Sequence, residues 1–231
     1  MDNIIINPAS ARFSEAYFYE PNVEVILLGV GGIGSWVALN LARLECKIHM
    51  FDHDTVEDVN MAGQFYDFNN INLPKTNAVK KNILMFSSAD MESFIKNEDN
   101  YIEYDKYTKD SIVGPIMFSC FDNMAARKLA FEKWASEDDR EIFIDGRMAL
   151  VTGEVYCVIK GREKEYEETL FDDSEVEDAP CSMKASTFSA MTIAGLITGL
   201  YCNYIGIRKN PDLPMQIPFK TTYNFPLMMF I

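Results

Sequence analysis

Short apolar runs alternate along the chain with segments in which apolar residues recur at helical spacing. The apolar runs are rich in β-branched or aromatic residues, as is typical of buried strands, and lie at residues 23–28, 47–51, 102–104, 116–120, 141–145 and 155–159. Helical periodicity predicts amphipathic helices at residues 33–44, 76–87 and 124–135. Strands that alternate with helices indicate an α/β fold, here a doubly wound, mainly parallel, Rossmann-like sheet with helices on both faces.

Changes in this pattern divide the chain into an arm, a domain and a tail. Residues 1–22 are polar and aromatic and are predicted to form an N-terminal arm with one helix at 10–19. Within the domain 23–209, the acidic residues of 161–180 predict a solvated loop, with an acidic docking surface as the alternative. Four prolines in residues 210–231 predict a tail that packs in an extended conformation.

Residues 185–205 carry no charge and contain Gly195 and Gly199 in a GxxxG arrangement. A membrane span needs about 20 apolar residues, so the length would suffice. Serine, threonine and asparagine side chains dilute the apolar character, however, and basic residues do not cluster in the segment. We therefore predict a helix buried in the core or in a dimer interface, and no association with a membrane.

Composition excludes several classes of protein. With 21 basic and 35 acidic residues the formal net charge is −14, which disfavours binding to nucleic acid. Among the five cysteines there is no CxxC pair, so we expect neither a disulfide framework nor a structural zinc. The N-terminal residues lack the basic and apolar regions of a signal peptide. These features predict a soluble, enzyme-sized, cytoplasmic domain.

Four glycines separate the first predicted strand from the first predicted helix: Gly29, Gly31, Gly32 and Gly34. Glycine allows a tight turn and close approach of the backbone to a phosphate, while the helix N-terminus supplies amide donors. Asp52 follows the second predicted strand, where an acidic side chain can bond ribose hydroxyl groups. The pattern predicts a nucleotide site, and NAD fits it as well as ATP does.

The residues with chemical function that follow the glycines keep a characteristic order. They are Ser35, Asp52, Asp54, Asn60, Gln64, Lys75, Asp122, Asn123 and Arg127. In this order and at these separations, residues 23–205 resemble the ubiquitin-activating, ThiF/MoeB/HesA-type adenylyltransferase family. Its members read GxGGxGS, then DxDxVxxSNLxRQ, then a lysine, then a DN…R block. The combined match is far more specific than the glycine loop alone.

The resemblance implies an activity, two cofactors and a partner. Members use ATP and Mg²⁺ to adenylate the C-terminal carboxylate of a ubiquitin-like or sulfur-carrier protein, with release of pyrophosphate. A carboxylate and a phosphate must meet in that reaction, so cations have to screen the two anions. We expect a homodimer that binds such a carrier protein. A peptide-modifying adenylyltransferase is a variant that the sequence leaves open.

The match also implies a role for each site residue. Lys75 would contact phosphate, Asp122 would hold Mg²⁺, Arg127 would brace the site and Asp52 would bind the ribose. The other implied nucleotide contacts are Gly29, Gly31, Gly32, Gly34, Ser35, Asp54, Asn60, Gln64 and Asn123. Without the resemblance, Lys75 would be a surface residue at a helix start, and Asn123 would be a helix cap.

Two departures from the family pattern concern arginines. The position before the glutamine is an arginine in the family and is Gly63 here. An N-terminal RYxRQ-like segment has its best match at Arg12, with Glu15 at the position of the second arginine. Losing one arginine contact to a phosphate can cost orders of magnitude in rate. Either Arg12, Arg147 or a partner supplies the cation, or the chain is a weak enzyme or a silent binding subunit.

Cys181 precedes the long apolar helix, as a cysteine does in ThiF-like members. The resemblance implies transfer of the adenylated carboxylate to this thiol, because a thiolate is a good nucleophile. A helix N-terminus and the nearby Lys184 would lower its pKa. The alternative is a loop cysteine without a chemical role. The remaining cysteines are predicted to be buried: Cys46, Cys120, Cys157 and Cys202.

The sequence thus predicts an ATP-dependent adenylyltransferase with possible transfer to Cys181. Two rival hypotheses belong to other classes. A catalytically silent scaffold is supported by Gly63 and Glu15, and an NAD-dependent oxidoreductase is supported by the glycine loop and Asp52. Measuring pyrophosphate exchange separates the first rival from the enzyme, and comparing the binding of ATP and NAD separates the second.

Overall fold

The protein is described by a computed structural model that covers residues 11–87, 98–148, 152–171 and 186–231. Its strands are β1 (Glu24–Leu28), β2 (Lys47–Phe51), β3 (Tyr101–Tyr104), β4 (Ile116–Ser119), β5 (Ile142–Met148), β6 (Thr152–Ile159), β7 (Lys220–Asn224) and β8 (Met229–Phe230). Its helices are α1 (Gly32–Arg43), α2 (Lys75–Ser87), α3 (Met124–Ser136), α4 (Glu163–Glu167) and α5 (Thr187–Lys209).

The strands form one sheet in the order β3-β2-β1-β4-β5-β6-β7-β8. Strands β1 to β5 are parallel to one another. Strands β6, β7 and β8 extend the sheet beyond β5, each antiparallel to the strand before it. The predicted doubly wound, mainly parallel sheet is confirmed. The chain moves from β1 outward to β2 and β3, then returns to place β4 on the other side of β1. In open sheets of this kind, ligands bind at the carboxyl ends of the strands where the order reverses.

The two faces of the sheet carry separate apolar cores. Val25 and Leu27 of β1 face a core formed with α1, α2 and α5. Ile26 and Leu28, which alternate with them, face a second core formed with α3 and α4. A central strand that is buried on both faces needs an unbroken apolar run, which explains the sequence of β1. Helices on both faces were predicted and are confirmed.

Helix α5 is a core helix with an exposed outer face. One side of it, including Ile193, Ile197 and Ile205, is fully buried in the first core. Met191 and Gly195 on the other side are exposed. Within the described part of the chain, α5 is the helix that is long and apolar enough to cross a membrane by length and composition. Its contacts with the sheet and with α1 agree with the predicted core helix.

Two segments differ from their predicted conformation. Residues 11–18 form turns rather than a helix, and their aromatic side chains cluster with one another, for instance Phe13 with Phe18 and Tyr19. The first part of the predicted acidic loop contains the short helix α4, because Tyr166 is fully buried in the second core. The tail, predicted to be extended, contains the two strands of the β7–β8 hairpin. Residues 1–10 and 172–180 lie outside the described residues.

Candidate nucleotide-binding site

The glycine loop between β1 and α1 is held tightly against the end of β4. Gly29 has a φ of +80°, and a Cβ on it would lie 2.9 Å from the carbonyl oxygen of Cys120. A Cβ on Gly34 would lie 1.8 Å from the carbonyl oxygen of Gly29. Glycine is required at both positions, at the first for the left-handed backbone and at both for space. The loop therefore has the tight turn that the sequence predicts.

Gly31 lies at the centre of a cradle of polar groups. It precedes α1, and a Cβ on it would be 3.9 Å from Gln64 Oε1 and 4.0 Å from Lys75 Nζ. Gln64 Oε1 is buried and has no hydrogen-bond partner among the described residues. A half-turn of that amide would aim its NH₂ group at an anion. A lysine ammonium, an unpartnered amide and the N-terminus of α1 fit the phosphates of a nucleotide.

Asp52 ties the end of β2 to the glycine loop. Its carboxylate accepts hydrogen bonds from the backbone N–H of Val30 at 2.8 Å and of Asp54 at 2.9 Å. Burial raises the pKa of Asp52 more than these bonds and Lys75 lower it. The side chain thus lies at the carboxyl edge of the sheet, beside the loop, where the predicted ribose contact would be made.

Lys75 begins α2 and forms an ion pair with Asp54, whose carboxylate is 2.8 Å from its Nζ atom. The Lys75 side chain is 10% exposed and that of Asp54 is 50% exposed. Burial alone would raise the pKa of Asp54, but the hydrogen bond and charge of Lys75 lower it further than burial raises it. Asp54 therefore acts here as the counterion of Lys75, and a bound phosphate would compete with it.

We expect Asp54→Asn to lower the free energy of unfolding by about 1 kcal/mol at pH 7, a modest value because the pair is partly screened by solvent. The pKa of Asp54 in the folded state lies below the ordinary aspartate value, so this stabilisation is fully present above that ordinary value. It is lost as the pH falls through the folded-state pKa. Urea unfolding of wild type and variant at pH 7 and pH 3 measures the difference. The exposed Asp58→Asn serves as the control, and an equal loss at both pH values would contradict the assignment.

The loop after β4 carries Asp122 on the surface, and the helix α3 that follows it carries Arg127 in the interior. Asn123 caps α3, since its Oδ1 accepts the N–H of Ala126 at 2.8 Å. Asp122 is exposed and is 3.5 Å from the Asn123 amide nitrogen. Its carboxylate at the carboxyl edge is suited to Mg²⁺, which prefers carboxylate and water ligands. Arg127 is buried and bonds Asp145 and two backbone carbonyls, so it braces this loop from within.

Two further predicted nucleotide contacts hold loops in place. Ser35 is fully buried, and its hydroxyl accepts the N–H of Phe65 at 2.9 Å. The Asn60 side chain accepts the N–H of Glu57 at 2.9 Å in a short 3₁₀ segment. Both residues thereby fix the position of the segment that carries Gln64. Their direct contact with a nucleotide stays a prediction.

The arginines considered as replacements differ in their surroundings. Arg147 donates to Asp145 at 2.6 Å and to the carbonyl and hydroxyl oxygens of Thr169 at 2.9 and 3.0 Å, so its guanidinium is already engaged. Arg12 is exposed on the N-terminal arm. Gly63, at the family's arginine position, is buried, and its carbonyl accepts the indole N–H of Trp36 at 3.0 Å. Of the two named arginines, Arg12 is the one that could still move to a ligand.

Burial keeps the described cysteines in the thiol form. It raises the pKa of Cys46, Cys120 and Cys157 to about 12 and that of Cys202 to about 11. Cys202 is only partly buried, unlike the other three, so its predicted place in the core is only partly right. Cys181 and Lys184 lie outside the described residues.

Asp145 is a buried charged residue that was not among the predicted site residues. It follows an apolar run within β5, opposite Ser119, the last residue of β4, and is fully buried. Its signal in the sequence is the same as that of Asp52, an acid at the end of an apolar run. A carboxylate in that position either faces a ligand or pairs with a buried cation.

A cavity of about 590 Å³ lies away from this edge, where it is lined by Glu24, the first residue of β1, and by Ile116, the first of β4. Its charged groups pair with one another: His49 with Glu24 at 2.6 Å, and Arg208 with Glu20 and Glu141. The predicted site residues lie at the carboxyl ends of the strands instead.

Fold and site together define an α/β domain with a glycine-rich loop at the start of its first helix. The model of the ThiF family matches residues 21–214, and the chain belongs to this family. The resemblance inferred from the sequence is thereby confirmed.

Two curated proteins illustrate the similarity. Ubiquitin-like modifier-activating enzyme 5 of Caenorhabditis elegans is 28% identical over 149 residues, which is 60% of this chain and 35% of that protein. Shikimate dehydrogenase (NADP(+)) of Buchnera aphidicola is 28% identical over 89 residues, 38% of this chain and 32% of that enzyme. The chain thus spans about a third of the length of these curated relatives.

The fold is also that of Escherichia coli MccB, whose structures include one with ATP. That structure superposes with a TM-score of 0.68 at 14% identity, over 98% of this chain and 71% of MccB. MccB has also been solved with MccA. At this level of identity the superposition establishes the shared fold.

Proposed function

We propose that the chain is an ATP-dependent adenylyltransferase. In this reaction a carboxylate oxygen attacks the α-phosphorus of ATP, an acyl adenylate forms and pyrophosphate leaves. The observation that carries the proposal is the convergence of Lys75 and the unpartnered Gln64 amide on Gly31, beside the N-terminus of α1. The ATP bound by MccB, which has the same fold, supports ATP as the nucleotide.

The chain's own residues supply positioning and charge. Lys75 and the amides at the start of α1 would hold the phosphates, and Asp52 would bond the ribose. Asp122 would hold Mg²⁺, which when bound neutralises charge that develops on the phosphates. Because positioning and charge neutralisation provide most of the catalysis in phosphate chemistry, such a site needs no covalent contribution from the protein.

The proposed substrate is the C-terminal carboxylate of a ubiquitin-like or sulfur-carrier protein. The name of the C. elegans relative supports a ubiquitin-like partner. MccB, which has been solved with MccA, supports the peptide-modifying variant. The two are distinguished by supplying each kind of carboxylate in turn and measuring AMP formation.

The proposed function is tested by calorimetry with ATP and Mg²⁺ and by ATP–pyrophosphate exchange. Wild type is expected to bind ATP in preference to NAD, and Asp122→Asn is expected to lose exchange about 100-fold, as for removal of one charge-stabilising group. The exposed Asp139→Asn is the matched control and should behave as wild type. A folded protein that binds no ATP would establish the scaffold alternative, and a preference for NAD would establish the oxidoreductase.

We further propose transfer of the activated acyl group to Cys181. Its thiolate would attack the acyl carbon of the adenylate, form a thioester and displace AMP. Such a cysteine must be a thiolate near neutral pH, whereas burial keeps Cys46, Cys120 and Cys157 protonated. The proposal depends on this difference in ionisation between Cys181 and the buried cysteines.

The contrast predicts that iodoacetamide at pH 8 modifies one cysteine rapidly in the folded protein. Cys181→Ser is expected to remove the rapid reaction, because at that pH only about one in 1,000 of the Cys202 thiols is ionised at its pKa of about 11. Mass spectrometry of the labelled protein counts the modified residues. The control is Cys202→Ser, which should leave the rapid reaction intact. A rapid reaction that survives Cys181→Ser would exclude the assignment.

A second copy of the chain is the proposed partner for the outer face of α5. Among the described residues, and apart from the neighbouring residues and backbone of α5 itself, no heavy atom lies within 4 Å of a Cβ built on Gly195 or Gly199. A groove of about 450 Å³ runs between these glycines and Tyr17 and Phe18 of the arm. Small residues allow two helices to approach closely. Sedimentation should show a dimer that Gly199→Leu converts to a folded monomer, and a monomeric wild type would contradict the proposal.

A further inference from the structure

The carboxylate of Asp145, in the middle of β5, is the centre of a buried network. The residue is fully buried and accepts hydrogen bonds from Arg127, from Arg147 Nε at 2.6 Å and from the Tyr166 hydroxyl at 2.9 Å. One carboxylate therefore binds two guanidinium groups that are themselves largely buried. A buried charge with this many partners is fixed in position, because losing any partner leaves a charge without solvent or counterion.

Arg127 connects this network to the loop after β4. One of its terminal nitrogens donates to Asp145 and, at 3.1 Å, to the carbonyl of Gly146. The other donates to the carbonyl of Phe121, the residue directly before Asp122. The guanidinium thus joins β5 to the backbone that carries Asp122. The Asp122 side chain itself is exposed, and its carboxylate is 3.5 Å from the Asn123 amide nitrogen.

We propose that Asp145 is a positioning residue for Asp122. Its carboxylate orients the Arg127 guanidinium, which holds the Phe121 carbonyl and thereby fixes the direction in which Asp122 leaves the sheet. The buried charge network thereby orients the exposed carboxylate of Asp122 through the backbone that precedes it. The role for Mg²⁺ rests on the proposed function, whereas the restraint on the loop does not.

Arg147 and Tyr166 make the inference testable because both bond Asp145, and among the described residues neither has a hydrogen bond to Phe121 or Asp122. Arg147 also bonds Thr169, and the Tyr166 ring packs in the second core. Tyr166→Phe removes one hydrogen bond from Asp145 and leaves the Arg127 contacts in place. Arg127→Lys keeps the positive charge beside Asp145 but replaces the two terminal nitrogens, which bond Asp145 and the Phe121 carbonyl separately, with one ammonium nitrogen that lacks their fixed planar spacing.

The first measurement is hydrogen exchange of the peptide covering residues 119–126 in the protein without nucleotide. Arg127→Lys and Asp145→Asn are expected to speed its exchange at least fivefold, with Tyr166→Phe within twofold of wild type. A general loss of stability would instead speed exchange across the sheet in all three variants. Equal exchange of this peptide in wild type and Arg127→Lys would overturn the proposal, whether or not Asp145→Asn folds.

The second measurement is the Mg²⁺ dependence of the affinity for a non-hydrolysable ATP analogue. The residues behind a metal ligand typically change metal affinity 10- to 100-fold. Arg127→Lys should therefore raise the Mg²⁺ concentration needed for tight binding about tenfold, while binding in EDTA stays within twofold. An unchanged Mg²⁺ dependence would overturn the role of Asp145 and leave the proposed function standing. If the wild type binds no analogue, the proposed function is refuted. The hydrogen-exchange measurement would still show whether Asp145 and Arg127 restrain the loop that carries Asp122.

Discussion

Replacing Lys75 with methionine is expected to lower ATP–pyrophosphate exchange about 100- to 1,000-fold, as for loss of one preorganised charge-stabilising group. The structure places this ammonium 4.0 Å from a Cβ built on Gly31, where the phosphates would lie. Arg127 and Arg147 are both engaged by Asp145, and Gly63 stands where the family has an arginine. Lys75 therefore carries a larger share of the phosphate charge than it would beside an arginine.

Lys80→Met is the matched control for Lys75→Met. Lys80 belongs to the same helix and also forms an ion pair, with Glu103 at 3.0 Å, on the edge strand β3. Its replacement should leave exchange within twofold of wild type. Methionine preserves the length of the buried lysine side chain, and urea unfolding should show both variants folded. If the Lys75→Met variant retains more than a third of the wild-type rate of ATP–pyrophosphate exchange, another cation binds the phosphates.

The strands and the glycine loop could be predicted because local sequence determines them. β1 and β4 are buried on both faces, so their apolar runs leave little choice of conformation. Gly29 and Gly34 are required by close contacts within one strand–loop–helix unit. The same locality made Asp52 predictable, because its position follows from the end of β2 and the loop beside it.

The partners of the site residues could not be predicted from the sequence. The bond between Lys75 and Asp54 joins the start of α2 to a loop residue 21 positions earlier, and that between Arg127 and Asp145 joins a helix to a strand. Each pair forms only when the sheet brings its members together. The short helix α4 was unpredictable for the same reason. Its acidic sequence predicts a loop, but the segment is folded because Tyr166 packs into the core against distant parts of the chain.

Gly34→Ala is expected to cost about 3 kcal/mol or more of folding free energy, at the upper end of the range for overpacking. The new methyl group would lie 1.8 Å from the Gly29 carbonyl oxygen, so backbone has to move. Gly29 cannot withdraw, because its N–H bonds the Phe51 carbonyl at 2.8 Å and a Cβ on it would already touch Cys120. Urea unfolding measures the loss, and a variant as stable as wild type would show that the loop can open.

Gly31→Ala tests the same loop for function instead of folding. The nearest atoms to its new methyl group are Gln64 Oε1 at 3.9 Å and Lys75 Nζ at 4.0 Å, both at ordinary contact distance. We expect a folding cost of at most about 1 kcal/mol, in the range of ordinary substitutions. The methyl group fills the space between these two polar groups, so ATP affinity should fall at least tenfold. The two substitutions lie only three positions apart at the start of α1. If Gly31→Ala is stable but binds ATP weakly, the phosphates lie in the cradle of polar groups around Gly31. Unchanged affinity would place them elsewhere.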